Sequence, residues 1–215
     1  VSVAEDGIIE TIPMAMSYEE AAPVTDGALT SHNFLTRLVD IQPGQKVLIN
    51  GAAGGLGTSA VQLAKHLGAE VTAVASGRNT DFLRELGADH VIDYGREDFS
   101  QRRGAYDVIF DTVGKVPFGK ARRALKADGI YLSPVLGLGL LFTMLWTGKF
   151  GRKKARFSAT GLLPHAELRQ RLGEVKALIR GPESGGNDAA VNGLGSSASG
   201  RYQFIEGTFK RLYAK

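Results

Sequence analysis

The chain contains no cysteine among its 215 residues, and this absence excludes several kinds of chemistry. Without thiols the chain forms no disulfide bond, offers no thiol nucleophile and binds no zinc ion through cysteine. Histidine is also scarce, and no two histidines have the close spacing of metal-binding pairs such as H-x3-H. We therefore predict no metal site. The four histidines are His32, His66, His90 and His165.

A strong excess of charge is missing as well. The 26 Lys and Arg residues against 22 Asp and Glu give a net charge of +4, and the basic residues are spread along the chain. This balance is ordinary for a solvated surface, so we expect no nucleic-acid partner. A hydrophobic content of 43% is typical of a globular protein, with enough length for one large core or two small ones.

One uncharged stretch, Ile130 to Thr147, is close to the roughly 18 residues that suggest a membrane span. Proline and glycine residues divide it into a short strand and an apolar helix, Leu140 to Trp146, which a basic segment at 149–154 follows. We therefore expect no stable membrane span. A peripheral contact of this helix and its basic flank with a membrane surface stays open.

From Val47 onward, short apolar runs alternate with helical patterns, which predicts βαβ units. The expected fold class is α/β, a doubly wound parallel sheet of the Rossmann type with six strands and helices on both faces. The predicted strands are Val47–Asn50, Val71–Ala75, His90–Tyr94, Val108–Phe110, Ile130–Val135 and Ala155–Ala159. The predicted helices are Thr58–Leu67, Thr80–Leu86, Gly119–Leu125, Leu140–Trp146 and His165–Arg180.

The pattern divides the chain into four parts. Residues 1–30 form a leading segment whose helix is expected to begin with a capping box of Ser17 and Glu20, and residues 31–180 form the Rossmann domain. Residues 181–200 are rich in Gly and Ser, which predicts a flexible segment. Residues 201–215 are expected to form a C-terminal helix or tail.

The segment from Asn50 to Gly57 leaves a strand and opens a helix, as a pyrophosphate-binding turn must. Its small residues let the backbone approach a diphosphate, and its amides would face the phosphates with the helix N-terminus behind them. In terms of G-x-G-x-x-G, Ala52 replaces the first glycine. A glycine turn alone is often only structural, but here the flanking strands and helix are correctly placed. The predicted cofactor-binding residues are Asn50, Gly51, Ala53, Gly54, Gly55, Leu56 and Gly57.

At the end of the second predicted strand, an NAD site normally presents an acidic residue to the ribose hydroxyls. This chain has Ser76 and Arg78 in that region instead. A hydroxyl and a guanidinium would bind a 2'-phosphate by charge-assisted hydrogen bonds, whereas a carboxylate would repel it. We therefore expect NADPH rather than NADH as the cofactor. The alternative is that Arg78 is a solvated loop residue.

Further candidates follow the later strands. Tyr94 either lies against the adenine or is a half-buried core aromatic. Asp111 is either a general base or, more simply, a hydrogen-bonding group for the turn after its strand. Small residues at the carboxyl ends of strands open the ligand crevice of such folds. The additional predicted cofactor-binding residues are Thr112, Val113, Gly114 and Val135.

Three stretches, Gln42–Lys65, Leu86–Tyr94 and Tyr106–Gly114, together resemble the zinc-free quinone oxidoreductase (zeta-crystallin-like) branch of the medium-chain dehydrogenase/reductase superfamily. The alanine-bearing glycine turn with Ser76 and Arg78 marks this branch. The resemblance implies an NADPH-dependent reduction of a quinone or an α,β-unsaturated carbonyl by hydride transfer. It also implies a homodimer.

The resemblance covers about residues 5–180, so the family's N-terminal, GroES-like catalytic domain is expected to be largely absent, with residues 1–30 as its junction. The catalytic residues are therefore unknown at this stage. Two functions remain open: an NADPH-dependent reductase represented by its cofactor domain, and a module that binds NADPH without turnover. A zinc alcohol dehydrogenase is disfavoured because the chain has no cysteine. The expected compartment is the cytoplasm, with an organelle as the alternative.

Overall fold

The computed structural model describes residues 21–180. The predicted capping box at Ser17, the Gly/Ser-rich segment 181–200 and the tail 201–215 lie outside the described residues. Six strands form the centre of the described region, and all their pairings are parallel. The strands are β1 (Lys46–Asn50), β2 (Glu70–Ala75), β3 (His90–Asp93), β4 (Tyr106–Asp111), β5 (Leu125–Ser133) and β6 (Lys154–Phe157).

The sheet order is β3-β2-β1-β4-β5-β6. This order reverses direction between β1 and β4, and in such sheets ligands bind outside the carboxyl ends of the strands at the reversal. The six helices are α1 (Gly27–His32), α2 (Gly55–His66), α3 (Thr80–Glu85), α4 (Phe118–Ala124), α5 (Leu138–Phe150) and α6 (His165–Arg180). A π-helical segment, Asn33–Leu38, continues α1 without a break.

Helices cover both faces of the sheet because the strand residues alternate between two apolar clusters. One cluster joins Val47, Ile49 and their neighbours to α2, α3 and the π-helical segment, where Phe34 stacks on Phe110 with ring centroids 4.9 Å apart. The other joins Leu48 and its neighbours to α4 and α5. Strands buried on both faces read as continuous apolar runs. The predicted doubly wound α/β fold is therefore confirmed.

Several predicted boundaries are wrong, each for a local reason. Helix α2 begins at Gly55 rather than Thr58, because the glycine turn enters the helix directly. Strand β5 begins at Leu125, far before the predicted Ile130, and pairs with β4 through a register shift between Tyr106 and Val108. The same strand ends at Ser133, since Pro134 has no N–H to continue the ladder. The bounds of β6 and α5 also differ from those predicted, by up to four residues at one end.

Helix α1 and helix α6 pack against each other through a third apolar cluster, which includes Val24, Leu29 and Leu172. Polar contacts surround it. Asn33 donates from Nδ2 to the hydroxyls of Ser158 and Thr160, each at 2.9 Å. The guanidinium of Arg171 donates to the side-chain oxygen of Asn33. The π-helical segment that continues α1 is thus fixed to α6 by a buried polar network.

His32 makes this helix contact sensitive to pH. The side chain is buried, and burial lowers its pKa below 6.5 although Glu174 lies 3.8 Å from Nε2. The folded state therefore binds this proton less readily than the unfolded state does. The contribution of neutral His32 to the stability of the folded state is therefore fully present above pH 6.5. It is lost progressively as the pH falls below that value.

We expect the free energy of unfolding to fall by up to about 1 kcal/mol through His32 between about pH 7.5 and about pH 5.5. Urea unfolding of the wild type and of His32→Gln at the two pH values measures this difference. Three carboxyl groups with lowered pKa values, Asp89, Asp98 and Asp128, titrate below their ordinary 3.8 and do not contribute here. An equal loss in both proteins would assign the pH dependence to other groups.

Candidate nucleotide-binding site

The turn after β1 is built from a hydrogen-bonded loop that only small residues can form. Gly51 has a φ of 75°, a left-handed conformation that favours glycine. The N–H groups of Gly51 and Ala52 both donate to the carbonyl of Val74 at 3.1 Å, and Gly54 donates back to Gly51 at 3.0 Å. The left-handed glycine of the turn is therefore Gly51. Ala52, which the motif comparison placed at the first glycine position, is fully buried beneath it.

Gly57 lies against this turn so closely that no side chain fits. A Cβ atom at Gly57 would stand 2.2 Å from the carbonyl oxygen of Gly51 and 2.7 Å from Cα of Ala52. By contrast, a Cβ at Gly55 meets nothing within 4 Å. Helix α2 is thus pressed against the end of β1, while the space in front of its first turn is open. The first amides of a helix have no partner within it and attract anions, so this cradle fits a diphosphate.

The ends of β2 and β3 form one flank of the cradle. Ser76 accepts a hydrogen bond from Nδ2 of Asn79 at 3.1 Å, which closes the single helical turn Gly77–Asn79 that presents Arg78 to solvent. Tyr94 is 68% exposed, which contradicts the core-aromatic alternative. Sequence reasoning missed that Asp93 lies against this turn, with its Oδ2 2.5 Å from the place of a Cβ at Gly77.

Two neighbouring groups offset the negative charge of Asp93 on this flank. Its Oδ1 accepts from the N–H of Gly95 at 3.0 Å, and its Oδ2 lies 3.6 Å from Nε of Arg96. The ion pairs found within residues 21–180 include none with Arg78. A guanidinium is therefore presented at the end of β2, next to an exposed aromatic ring.

The ends of β4 and β5 form the other flank. The hydroxyl of Thr112 donates to the carbonyl of Asn50 at 2.8 Å, and Val113 lies so near that its Cγ2 is 2.4 Å from the place of a Cβ at Gly51. Gly114 has a φ of 69° and lies against the side chain of Val135. Val113 and Val135 are 43% and 49% exposed. The predicted residues of both strand ends therefore lie together beside the glycine turn.

Asp111 is fully buried under this flank and accepts four hydrogen bonds. Its Oδ1 accepts from Nδ2 of Asn50 at 2.8 Å and from the N–H of Val113 at 3.3 Å. Its Oδ2 accepts from the N–H of Val116 at 2.8 Å and from the hydroxyl of Tyr131 at 3.0 Å. Burial and the neighbouring Asp111 raise the pKa of Tyr131, so the phenol stays protonated. The turn-anchoring alternative for Asp111 thus agrees with the geometry, and a solvent-facing general base does not.

No group of three or more His, Asp or Glu side chains in residues 21–180 is arranged to hold a metal ion. The chemistry that the described residues offer is that of a nucleotide cradle: helix amides, small residues, a guanidinium and an exposed aromatic ring. A parallel sheet in this strand order, with a glycine turn after β1, defines a Rossmann nucleotide-binding domain.

Comparison with known proteins shows what this domain is similar to. Residues 55–134 match the family model described as zinc-binding dehydrogenase. The matching proteins include a quinone-oxidoreductase homolog, enoyl reductases and polyketide synthases, so the domain is similar to the Rossmann domain of the medium-chain dehydrogenase/reductase superfamily.

Three similar proteins illustrate the range of these relatives. A zinc-type alcohol dehydrogenase-like protein of Schizosaccharomyces pombe is 35% identical over 150 residues, 68% of this chain and 42% of that protein. The chloroplastic quinone-oxidoreductase homolog of Spinacia oleracea is 33% identical over 172 residues, 76% of this chain and 50% of that protein. The crystal structure of Escherichia coli quinone oxidoreductase complexed with NADPH has a TM-score of 0.67 at 26% identity, covering 79% of this chain and 56% of that one. The chain thus spans about half the length of the relatives it matches.

Proposed function

We propose that the chain binds NADPH and belongs to a reductase that transfers hydride to a quinone or an α,β-unsaturated carbonyl. The observation that carries the cofactor assignment is the end of β2, where exposed Arg78 and the hydroxyl of Ser76 stand in place of an acidic residue. A 2'-phosphate would accept charge-assisted hydrogen bonds from these groups. The relative complexed with NADPH supports the same cofactor.

The described residues offer suitable groups for several parts of an NADPH molecule. The first amides of α2 would hold the diphosphate, and the exposed ring of Tyr94 would cover the adenine. The small or apolar residues Val113, Gly114 and Val135 would line the path toward the nicotinamide. When bound, the dihydronicotinamide supplies the hydride. The contribution of this chain's residues is to hold and orient the cofactor.

The substrate class rests on the relatives, whose names include a quinone-oxidoreductase homolog and a trans-enoyl reductase. Both names fit acceptors in which a carbonyl polarises the carbon that receives the hydride. The proposal also includes a homodimer, in which β6, an outer strand of the sheet within residues 21–180, pairs with the same strand of a second copy.

Arg78→Ala is expected to weaken NADPH binding by about tenfold or more while leaving NADH binding nearly unchanged, because only NADPH carries the phosphate that the guanidinium would bind. Calorimetric titration of the two cofactors measures both affinities. Arg103→Ala is the matched control, since Arg103 is exposed just before β4 and therefore lies near the amino ends of the strands, away from the cradle at their carboxyl ends. Equal losses for the two cofactors would remove Arg78 from the phosphate site.

Turnover is tested by adding a small quinone or enone to the chain with NADPH and following the nicotinamide absorbance band. Oxidation of NADPH by the wild type, reduced in Arg78→Ala at low cofactor concentration, is the expected result. Binding without oxidation would favour a cofactor-holding module in place of a reductase. No binding of either cofactor would contradict the proposal as a whole.

A further inference from the structure

Helix α5 exposes an apolar face to solvent. Leu141, Phe142, Leu145 and Trp146 are 41%, 70%, 67% and 70% exposed, and their spacing places them on one side of the helix. The opposite side packs on the sheet through Leu140 and Met144. A surface helix normally turns polar residues outward, so this contiguous apolar stripe indicates a contact that α5 makes with another surface.

The hydroxyl groups of this helix are already satisfied within it. Thr143 donates to the carbonyl of Gly139 and Thr147 donates to the carbonyl of Thr143, each at 2.7 Å. The helix therefore presents few polar groups that would have to lose water on entering an apolar environment. This property is the one that a segment lying among lipid headgroups and upper acyl chains requires.

A basic border runs beside the apolar stripe. A cavity of about 800 Å³ lies between α4 and α5, and aromatic rings of Phe118, Phe142 and Trp146 line it together with Arg122, Arg152 and Lys153. Asp128 pairs with Arg152 at 3.0 Å, and Lys153 donates to the carbonyl of Arg122 at 2.8 Å. Arg122 and Arg123 on α4 are exposed. The border is therefore positively charged beyond its one acidic partner.

We propose that this face docks on an anionic phospholipid bilayer, with α5 lying in the plane of the interface and headgroup phosphates contacting the basic border. Aromatic and leucine side chains next to arginine and lysine are the composition that binds such surfaces. The 13 residues of α5 reach about 20 Å, less than the roughly 30 Å of a hydrocarbon core. In the described part of the chain, no helix is long and apolar enough to cross a membrane. The contact is peripheral.

Charge complementarity favours lipid over a second copy of the chain on this face. A symmetric dimer would bring the same surface of two chains together, and the two sets of exposed arginines would then face each other. Like charges placed opposite one another oppose association. An anionic bilayer supplies the opposite sign over the whole border.

The sequence provides its own reporter for the test, because Trp146 is the single tryptophan of the chain and lies in the apolar stripe. The full chain is titrated with vesicles of phosphatidylcholine alone and of phosphatidylcholine containing phosphatidylglycerol, and tryptophan emission and co-sedimentation are recorded. We expect a blue shift and sedimentation only with the anionic vesicles, both reversed by high salt.

Two variants separate the apolar and basic contributions. Phe142→Ser with Leu145→Ser, and Arg122→Glu with Arg123→Glu, are each expected to lower the partition coefficient about tenfold or more. The matched controls change an 86% exposed leucine and an exposed arginine elsewhere, Leu162→Ser and Arg103→Glu, and should bind as the wild type does. Secondary structure and thermal unfolding verify that each variant folds.

Three outcomes would overturn the proposal. The first is the absence of any shift or sedimentation with anionic vesicles. The second is emission that is already blue-shifted and shielded from acrylamide without vesicles, which would show that another part of the protein covers the stripe. The third is a shift that depends on protein concentration alone, which would assign the face to contact between copies.

Discussion

Replacing Gly57 with alanine is expected to lower the free energy of unfolding by about 3 kcal/mol and to abolish measurable NADPH binding. The new methyl group would meet two backbone groups, the carbonyl of Gly51 at 2.2 Å and Cα of Ala52 at 2.7 Å. Backbone atoms at the end of a buried strand cannot rotate away, so α2 would have to move off β1. The amides that form the phosphate cradle would move with it.

Chemical denaturation and calorimetry measure the two effects of Gly57→Ala. Gly55→Ala is the control for stability, since its Cβ enters open space and alanine favours a helix over glycine. That variant should unfold at the same denaturant concentration as the wild type or a slightly higher one. Wild-type stability and wild-type NADPH affinity in Gly57→Ala would show that the close approach of helix and strand is not required.

Asp111→Ala is expected to destabilise the domain by about 4 kcal/mol, because it leaves several partly buried donors without an acceptor. These donors are Nδ2 of Asn50 and the N–H groups of Val113 and Val116, whereas the hydroxyl of Tyr131 keeps an acceptor in the carbonyl of Val116 at 2.8 Å. Since Asn50 begins the glycine turn and Val116 follows the β4 loop, NADPH affinity should fall as well. Urea unfolding and calorimetric titration test the two expectations.

Two further variants show whether the effect of Asp111 depends on burial and hydrogen bonding. Asp111→Asn keeps the volume and one acceptor oxygen, so its loss of stability should lie between those of the wild type and Asp111→Ala. Asp128→Ala removes an exposed carboxylate that pairs with Arg152 and is expected to cause no measurable change. If Asp111→Ala and Asp128→Ala behaved alike, the hydrogen bonds of Asp111 would be structurally unimportant.

The fold could be predicted from the sequence because parallel strands that are buried on both faces stand out as short apolar runs. Val71 to Ala75 is such a run, and the structure places a strand there with one additional residue. Ends of elements were harder to predict. Strand β5 continues back to Leu125 because a register shift lets it pair with the start of β4, and no pattern in the sequence reveals a shift in pairing.

The candidate site could be predicted in part, since a glycine-rich turn between a strand and a helix has few other uses. The conformation of each glycine could not, because φ depends on the loop's hydrogen bonds: Gly51 takes the left-handed conformation, and Ala52 is packed beneath it. The role of Asp111 could not be predicted either, because it depends on contacts between strands. Its partner Tyr131 is 20 residues away on the next strand, and sequence spacing does not specify which side chains meet across strands.

The packing of α1 on α6 has a consequence for the order in which the protein assembles during synthesis. Asn33 bonds to Thr160 and Arg171, which follow it by 127 and 138 residues. In a nascent chain the residues of α1 are therefore synthesised long before these partners exist, and the side of α1 that packs on α6 stays uncovered until α6 leaves the ribosome. Contacts so distant in sequence form late and slowly. The glycine turn, β1 and α2, whose contacts are mostly closer in sequence, can be arranged before the domain is closed at this end.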